Sequence, residues 1–146
     1  MNQTVSKILK KLIPLLMVIL ISTIGYILLN GIPIRGIPQI DTITSVEILD
    51  QHLSPEERFF NQTQEIEKAH HAAHLLLAMP GKAKLGEPVI DLVFHQQDGS
   101  AFTLQANEET VWVKGKAYRL RGDSGPVFIK VIEAMFFYEE LAETQS

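Results

Sequence analysis

The chain has no cysteine, no charged residue between positions 12 and 29, no acid before Asp41 and no alanine before Ala69. Without cysteine there are no disulfides to staple a fold and no thiol to carry an N-terminal lipid. A lipoprotein anchor is therefore excluded, and any folded part must stand on its apolar core. Without charge, residues 12–29 (LIPLLMVILISTIGYILL) offer no polar face to water. As a helix this run spans roughly 27 Å, close to the roughly 30 Å of a hydrocarbon core. Core helices of soluble domains reach only about ten to fourteen apolar residues, so residues 12–32 are predicted to cross a membrane. A cleavable signal sequence would end its apolar run at small residues, but here Leu28, Leu29, Asn30 and Gly31 follow. The segment is expected to stay as a signal anchor. Pro14 is expected in the first turn of this helix, where its missing N–H costs nothing.

Orientation follows from charge. Lys7, Lys10 and Lys11 precede the run, whereas only Arg35 lies between it and Asp41. By the positive-inside rule residues 1–11 are expected in the cytoplasm and everything after the helix outside. Setting those three lysines aside leaves 10 basic against 17 acidic residues, a net charge near −7, which argues against a nucleic-acid partner.

Residues 33–41 contain alternating glycine and proline, which disfavour helix and central strand, and are predicted to form a stiff spacer. Residues 42–146 are then about 105 positions, enough for one modest core. Residues 42–49 (TITSVEIL) are β-branched and predict a strand. Residues 54–61 are ambiguous. Ser54, Pro55 and Glu57 form a capping box that would start a helix, but Arg58 to Asn61 can equally form a short strand. Across 64–79, Ile66, Ala69, Ala73, Leu76 and Leu77 recur at helical spacing until Pro80 and Gly81. Three strands are predicted at 89–96, 101–106 and 110–121, the last broken at Gly115, with Asp98-Gly99 and Lys114-Gly115 as turns. A final helix is predicted over 126–140. The sum is an α+β fold, an antiparallel meander with helices packed on one face.

The order TSVEI, EIEKAHHAAHLLLAMP, VIDLVFHQQDG, VWVKGKAYRL resembles small single-pass membrane-anchored proteins of Gram-positive bacteria that carry no assigned activity. The resemblance implies a bacterial cell-surface setting and transfers no site residues.

Several groups of residues invite a functional reading. Gly122-Asp123-Ser124-Gly125-Pro126 looks like the nucleophile motif of chymotrypsin-like proteases, and Ala72-Ala73-His74 like their histidine motif. That machinery needs two β-barrels, so a capped helix start is the better account, with Asp123 or Ser124 as cap and Pro126 in the first turn. Arg121-Gly122-Asp123, an integrin-type tripeptide, is more simply a strand-to-helix corner. Glu67, His70, His71 and His74 share one side of the predicted helix, within about 100° of arc, where His pairs at i, i+4 can chelate a metal. A stable site needs further ligands, and only His52 and His95 remain to supply them, so a solvated polar face is favoured over metal or pH sensing. Lys114, Lys116, Arg119 and Arg121 cluster near Trp112 and are expected to pair with Glu108 and Glu109 or to meet an anionic surface. Phe137 falls off the apolar stripe of the last helix. With Trp112 it is a candidate partner-binding residue, although a helix clasped by its surroundings is favoured. Asn2-Gln3-Thr4 and Asn61-Gln62-Thr63 are glycosylation sequons without meaning in a bacterium.

No nucleophile with base, acid pair or closed ligand set stands at workable spacing, so no enzyme and no cofactor are expected. The leading expectation is a membrane-anchored extracytoplasmic module that binds a membrane or cell-surface protein. The alternative is a metal- or pH-responsive sensor using the histidine stripe.

Overall fold

The computed structural model describes residues 2–146, with side chains from Val5 onward. Helix α1 (Asn2–Asn30) holds the apolar run, and its 26-residue stretch Val5–Asn30 is long and apolar enough to cross a membrane, with none of it buried against the rest of the chain. It starts ten residues before the predicted segment 12–32 and ends two before its close. Pro14 is therefore inside the helix and not in its first turn, since the lysine-bearing residues extend the helix backwards. There it forfeits the bond to the Lys10 carbonyl.

The helix stops at Gly31, whose φ of +75° suits a residue without a side chain. A Cβ there would stand 3.0 Å from Leu77 Cβ and 3.1 Å from the Ala78 carbonyl oxygen, so the chain turns directly onto the sheet. The first strand, β1 (Ile32–Pro33), pairs antiparallel with β4 (Leu77–Met79), Ile32 opposite Ala78. The expected spacer is thus part of the fold: Ile34 is buried, Ile37 packs on the core and Pro38 is covered. Proline fits β1 because an edge strand need not donate on its outer side.

A short 3-10 turn (Ile40–Thr42) leads into β2 (Ile43–Asp50), β3 (Ser54–Phe60), helix α2 (Thr63–Ala73), β4, β5 (Ile90–Gln96), β6 (Ala101–Ala106), β7 (Thr110–Val113), β8 (Lys116–Leu120), α3 (Ser124–Phe136) and α4 (Tyr138–Thr144). All eight strands join one antiparallel sheet, in the order β1-β4-β8-β7-β6-β5-β2-β3. The α+β architecture is as expected, and several elements differ from expectation. Residues 54–61 resolve as strand, because pairing with β2 outweighs the capping box. The predicted helix 64–79 ends at Ala73, and Leu77–Met79 instead bridges β1 and β8.

Burial alternates along β5 and β6, so only one face of the sheet is covered. Val46, Ile48, Leu92, Phe94, Phe102, Leu104 and Val111 meet Ile66, Ala69 and Ala73 of α2 and Phe128, Ile132 and Phe136 of α3 in a single core. Alanine at 69, 72 and 73 lets α2 lie close to the sheet. The last helix breaks at Phe137, whose φ and ψ (−127°, 32°) leave the helical region, and α4 turns away from there.

Candidate functional site

Helix α2 carries the histidine stripe along its rim. His70 Nε2 lies 3.0 Å from the Pro38 carbonyl oxygen and 3.4 Å from His74 Nε2, with the two rings edge to face. A carbonyl oxygen only accepts, so Nε2–H of His70 donates to Pro38, while His70 Nδ1 is buried without a hydrogen-bond partner. The His74 imidazole titrates below its ordinary 6.5, first through burial and then through the charges of His70 and His71. His71 and Glu67 point to solvent. The structure therefore brings together two of the four stripe residues. Among the described residues no three His, Cys, Asp or Glu side chains converge to hold a metal ion. His95 Nε2 instead lies 3.0 Å from a Glu47 carboxylate oxygen on the uncovered sheet face, without a hydrogen bond between them. His52 sits in the β2–β3 turn, where Asp50 Oδ1 accepts its backbone N–H.

The protease-like string has a structural account. Ser124 Oγ donates to the Arg121 carbonyl at 3.0 Å and accepts the Leu77 N–H at 3.3 Å, tying the start of α3 to β4. Asp123 holds the N-cap position without a side-chain bond, which corrects the expectation of a capping side chain. Gly125 is required by contact, since a Cβ there would overlap the Glu108 carbonyl group.

Of the partner-binding candidates, Phe137 is wholly buried and is not available for docking; Arg58 covers its ring. Trp112 lies half-buried on the uncovered sheet face, opposite Gln105 and Ala117. The basic residues do not pair with Glu108 and Glu109 among the described residues. The acids occupy the β6–β7 turn at the far end of the sheet from Lys114 and Lys116, where Glu109 pairs with Lys84 at 2.7 Å instead.

Two concave places escape a reading along the sequence. One is a cavity of about 460 Å³ between α3 and the β6–β7 turn, lined by His52, Glu87, Glu108, Glu109, Lys130 and Glu133. Burial pushes the Glu133 carboxyl up, as does the nearby Asp50 charge. The other is an apolar cleft of about 450 Å³ at the foot of α1, formed by residues 32–35 with Ala78, Met79, Pro80, Val113 and Tyr118. Its walls come from three separate stretches that the sequence reads as spacer, helix and meander, and no periodic signal announces their meeting.

The register places this cleft. β8 runs in the same direction as β1, with Leu120 level with Ile32 through Ala78. Lys116, four residues earlier, therefore stands about 13 Å further toward the end from which α1 arrives. Lys114 (φ 49°) and Gly115 (φ 78°) close this hairpin in a left-handed turn. Among the described residues, Arg35, Lys114 and Lys116 have no acidic partner within 4.0 Å, and all three are exposed. No protein-family model matches the chain, and comparison with curated proteins and with solved structures returned no match either, so function is argued from geometry.

Proposed function

We propose that the chain is a membrane-anchored, non-enzymatic binding module, with residues 1–11 in the cytoplasm and the sheet with its helices on the outer side of the cell membrane. The observation that carries this reading is α1 itself, an apolar helix with none of its spanning stretch covered by the rest of the chain. Left in water, that surface would be a far larger apolar patch than a soluble monomer keeps. Lys7, Lys10 and Lys11 support the orientation, and the acidic excess beyond them favours a protein or lipid partner over nucleic acid. The bacterial surface setting implied by the resemblance belongs to the same reading. Ser124, the one nucleophile in a suggestive motif, is spent on backbone bonds, which supports a binding role.

The natural chain has no cysteine, so single introduced cysteines report topology without background. In intact cells, Gln97→Cys should react with a membrane-impermeant maleimide and Ser6→Cys only after lysis. The reverse pattern would overturn the orientation.

One observation favours a second reading as a metal- or pH-responsive sensor: two imidazole nitrogens 3.4 Å apart, a separation that two ligands of one tetrahedral ion can adopt. Binding would have to draw His70 off the Pro38 carbonyl. Zinc or copper titration of the chain beside His70→Ala and His74→Ala decides it, because equal, weak uptake by all three removes the sensor.

A further inference from the structure

We infer that the cleft at the foot of α1 holds a phospholipid of the anchoring bilayer, with one acyl chain between Ile32, Ile34, Met79 and Tyr118 and the phosphate on Arg35. The inference rests on the anchored reading above and names the chemistry that the base of the module recognises.

Three observations carry it. The first is continuity with the membrane helix. Only Gly31 separates α1 from the strand that walls the cleft, and Arg35 is five residues beyond Asn30. Even fully extended, that stretch reaches roughly 17 Å, so the cleft cannot lie far above the headgroup layer, itself roughly 5–8 Å deep. The second is the lining. Apart from Arg35, every residue around the cleft is uncharged, and its volume of about 450 Å³ falls within the range of roughly 300–1,000 Å³ typical of sites for small amphiphiles and other ligands. The aliphatic walls suit a hydrocarbon chain. Tyr118, 42% exposed, is a residue type that settles at the boundary between chain and headgroup.

The third is charge. Arg35 stands at the cleft, and Lys114 and Lys116 project on the hairpin that runs toward the α1 end of the sheet. A guanidinium without an acidic partner binds phosphate oxygens in a forked arrangement, and exposed lysines add the longer-range attraction of an anionic bilayer surface. Asp98, at the same end, belongs to the β5–β6 turn about 10 Å along the sheet and bonds to Ser100. It leaves the basic group at the cleft intact. A protein segment adding to the edge strand β1 is the competing occupant. With only two paired residues in β1, that edge offers little ladder to extend.

The test is photolabelling of the full chain in vesicles of phosphatidylcholine and phosphatidylglycerol that include a phosphatidylglycerol with a diazirine at the end of one acyl chain. After irradiation the labelled residues are mapped by mass spectrometry. Label is expected on α1 and also at the cleft, on residues 32–35, Met79 and Tyr118. The double variant Arg35→Glu/Lys116→Glu, altered only at exposed positions, should keep the α1 label and lose at least about fivefold at the cleft, the factor expected from roughly one juxtamembrane charge. Lys130→Glu, elsewhere on the surface, should change neither. Label on α1 alone overturns the lipid site while leaving the anchor in place. Absence of label from α1 overturns the anchored reading itself. Equal cleft labelling in the double variant also overturns the proposal, since proximity to lipid would then suffice.

Discussion

The guanidinium of Arg58 lies 4.5 Å from the centroid of the Phe137 ring. The same group donates to the Phe136 carbonyl oxygen and pairs with Glu140, so one side chain on the edge strand β3 fastens the break between α3 and α4. Phe137 is thereby roofed by a cation, which is how a large aromatic off the main apolar stripe becomes fully buried.

Arg58→Ala should destabilise the folded part by about 2–4 kcal/mol, because it uncovers the ring, frees a helix-terminal carbonyl and leaves Glu140 half-buried without its partner. Phe137→Ala should cost about 3–5 kcal/mol as a core deletion. Urea unfolding of the full chain in detergent, followed by Trp112 fluorescence, reads both. A neutral Phe137→Ala would contradict its burial.

Gly125→Ala should be among the most damaging small substitutions, since the added methyl has to displace the backbone of residues 107 and 108. Gly122→Ala, three positions earlier and with open space around it, should lie within about 0.5 kcal/mol of the parent. Thermal unfolding of the two variants side by side separates a packing requirement at Gly125 from a general need for glycine in this turn.

The Glu133 carboxyl is held above its ordinary 4.5, by burial first and by the Asp50 charge second, with His52 and Lys130 opposing. A raised carboxyl means that the folded chain binds more protons than the unfolded one between 4.5 and the folded value, so stability falls as pH rises through that window. Glu133→Gln should remove this fall and melt higher than the parent near neutral pH. Melting temperatures between about pH 4 and pH 7 check the sign. A parent that gains on Glu133→Gln as pH rises would contradict it.

Much of this fold is written locally. The alternation along 89–96 and 101–106 and the turn chemistry at Gly99 and Gly115, both at positive φ, specify the meander almost to the residue. What is not legible depends on pairing at long range. Leu76 and Leu77 continue the helical spacing of Ile66, Ala69 and Ala73, yet Leu77 accepts the N–H of Arg121 and pairs with Pro33, bonds that propensity does not register. Ser54, Pro55 and Glu57 read as a helix start until β2 provides a ladder. Residues 33–41 read as a spacer because glycine and proline dominate, although Ile34 is buried. For the site, the helical spacing of His70 and His74 was visible. The Pro38 carbonyl that engages His70 and the cleft at the foot of α1 come from chain crossings that no spacing encodes.

Where α1 resides is tested most directly by alkaline extraction of membranes from cells making the full chain. Stripping at high pH removes proteins held by charge or by other proteins, whereas a helix solvated by hydrocarbon on every side stays behind. The full chain should remain wholly in the membrane pellet. Its recovery in the supernatant would contradict the account.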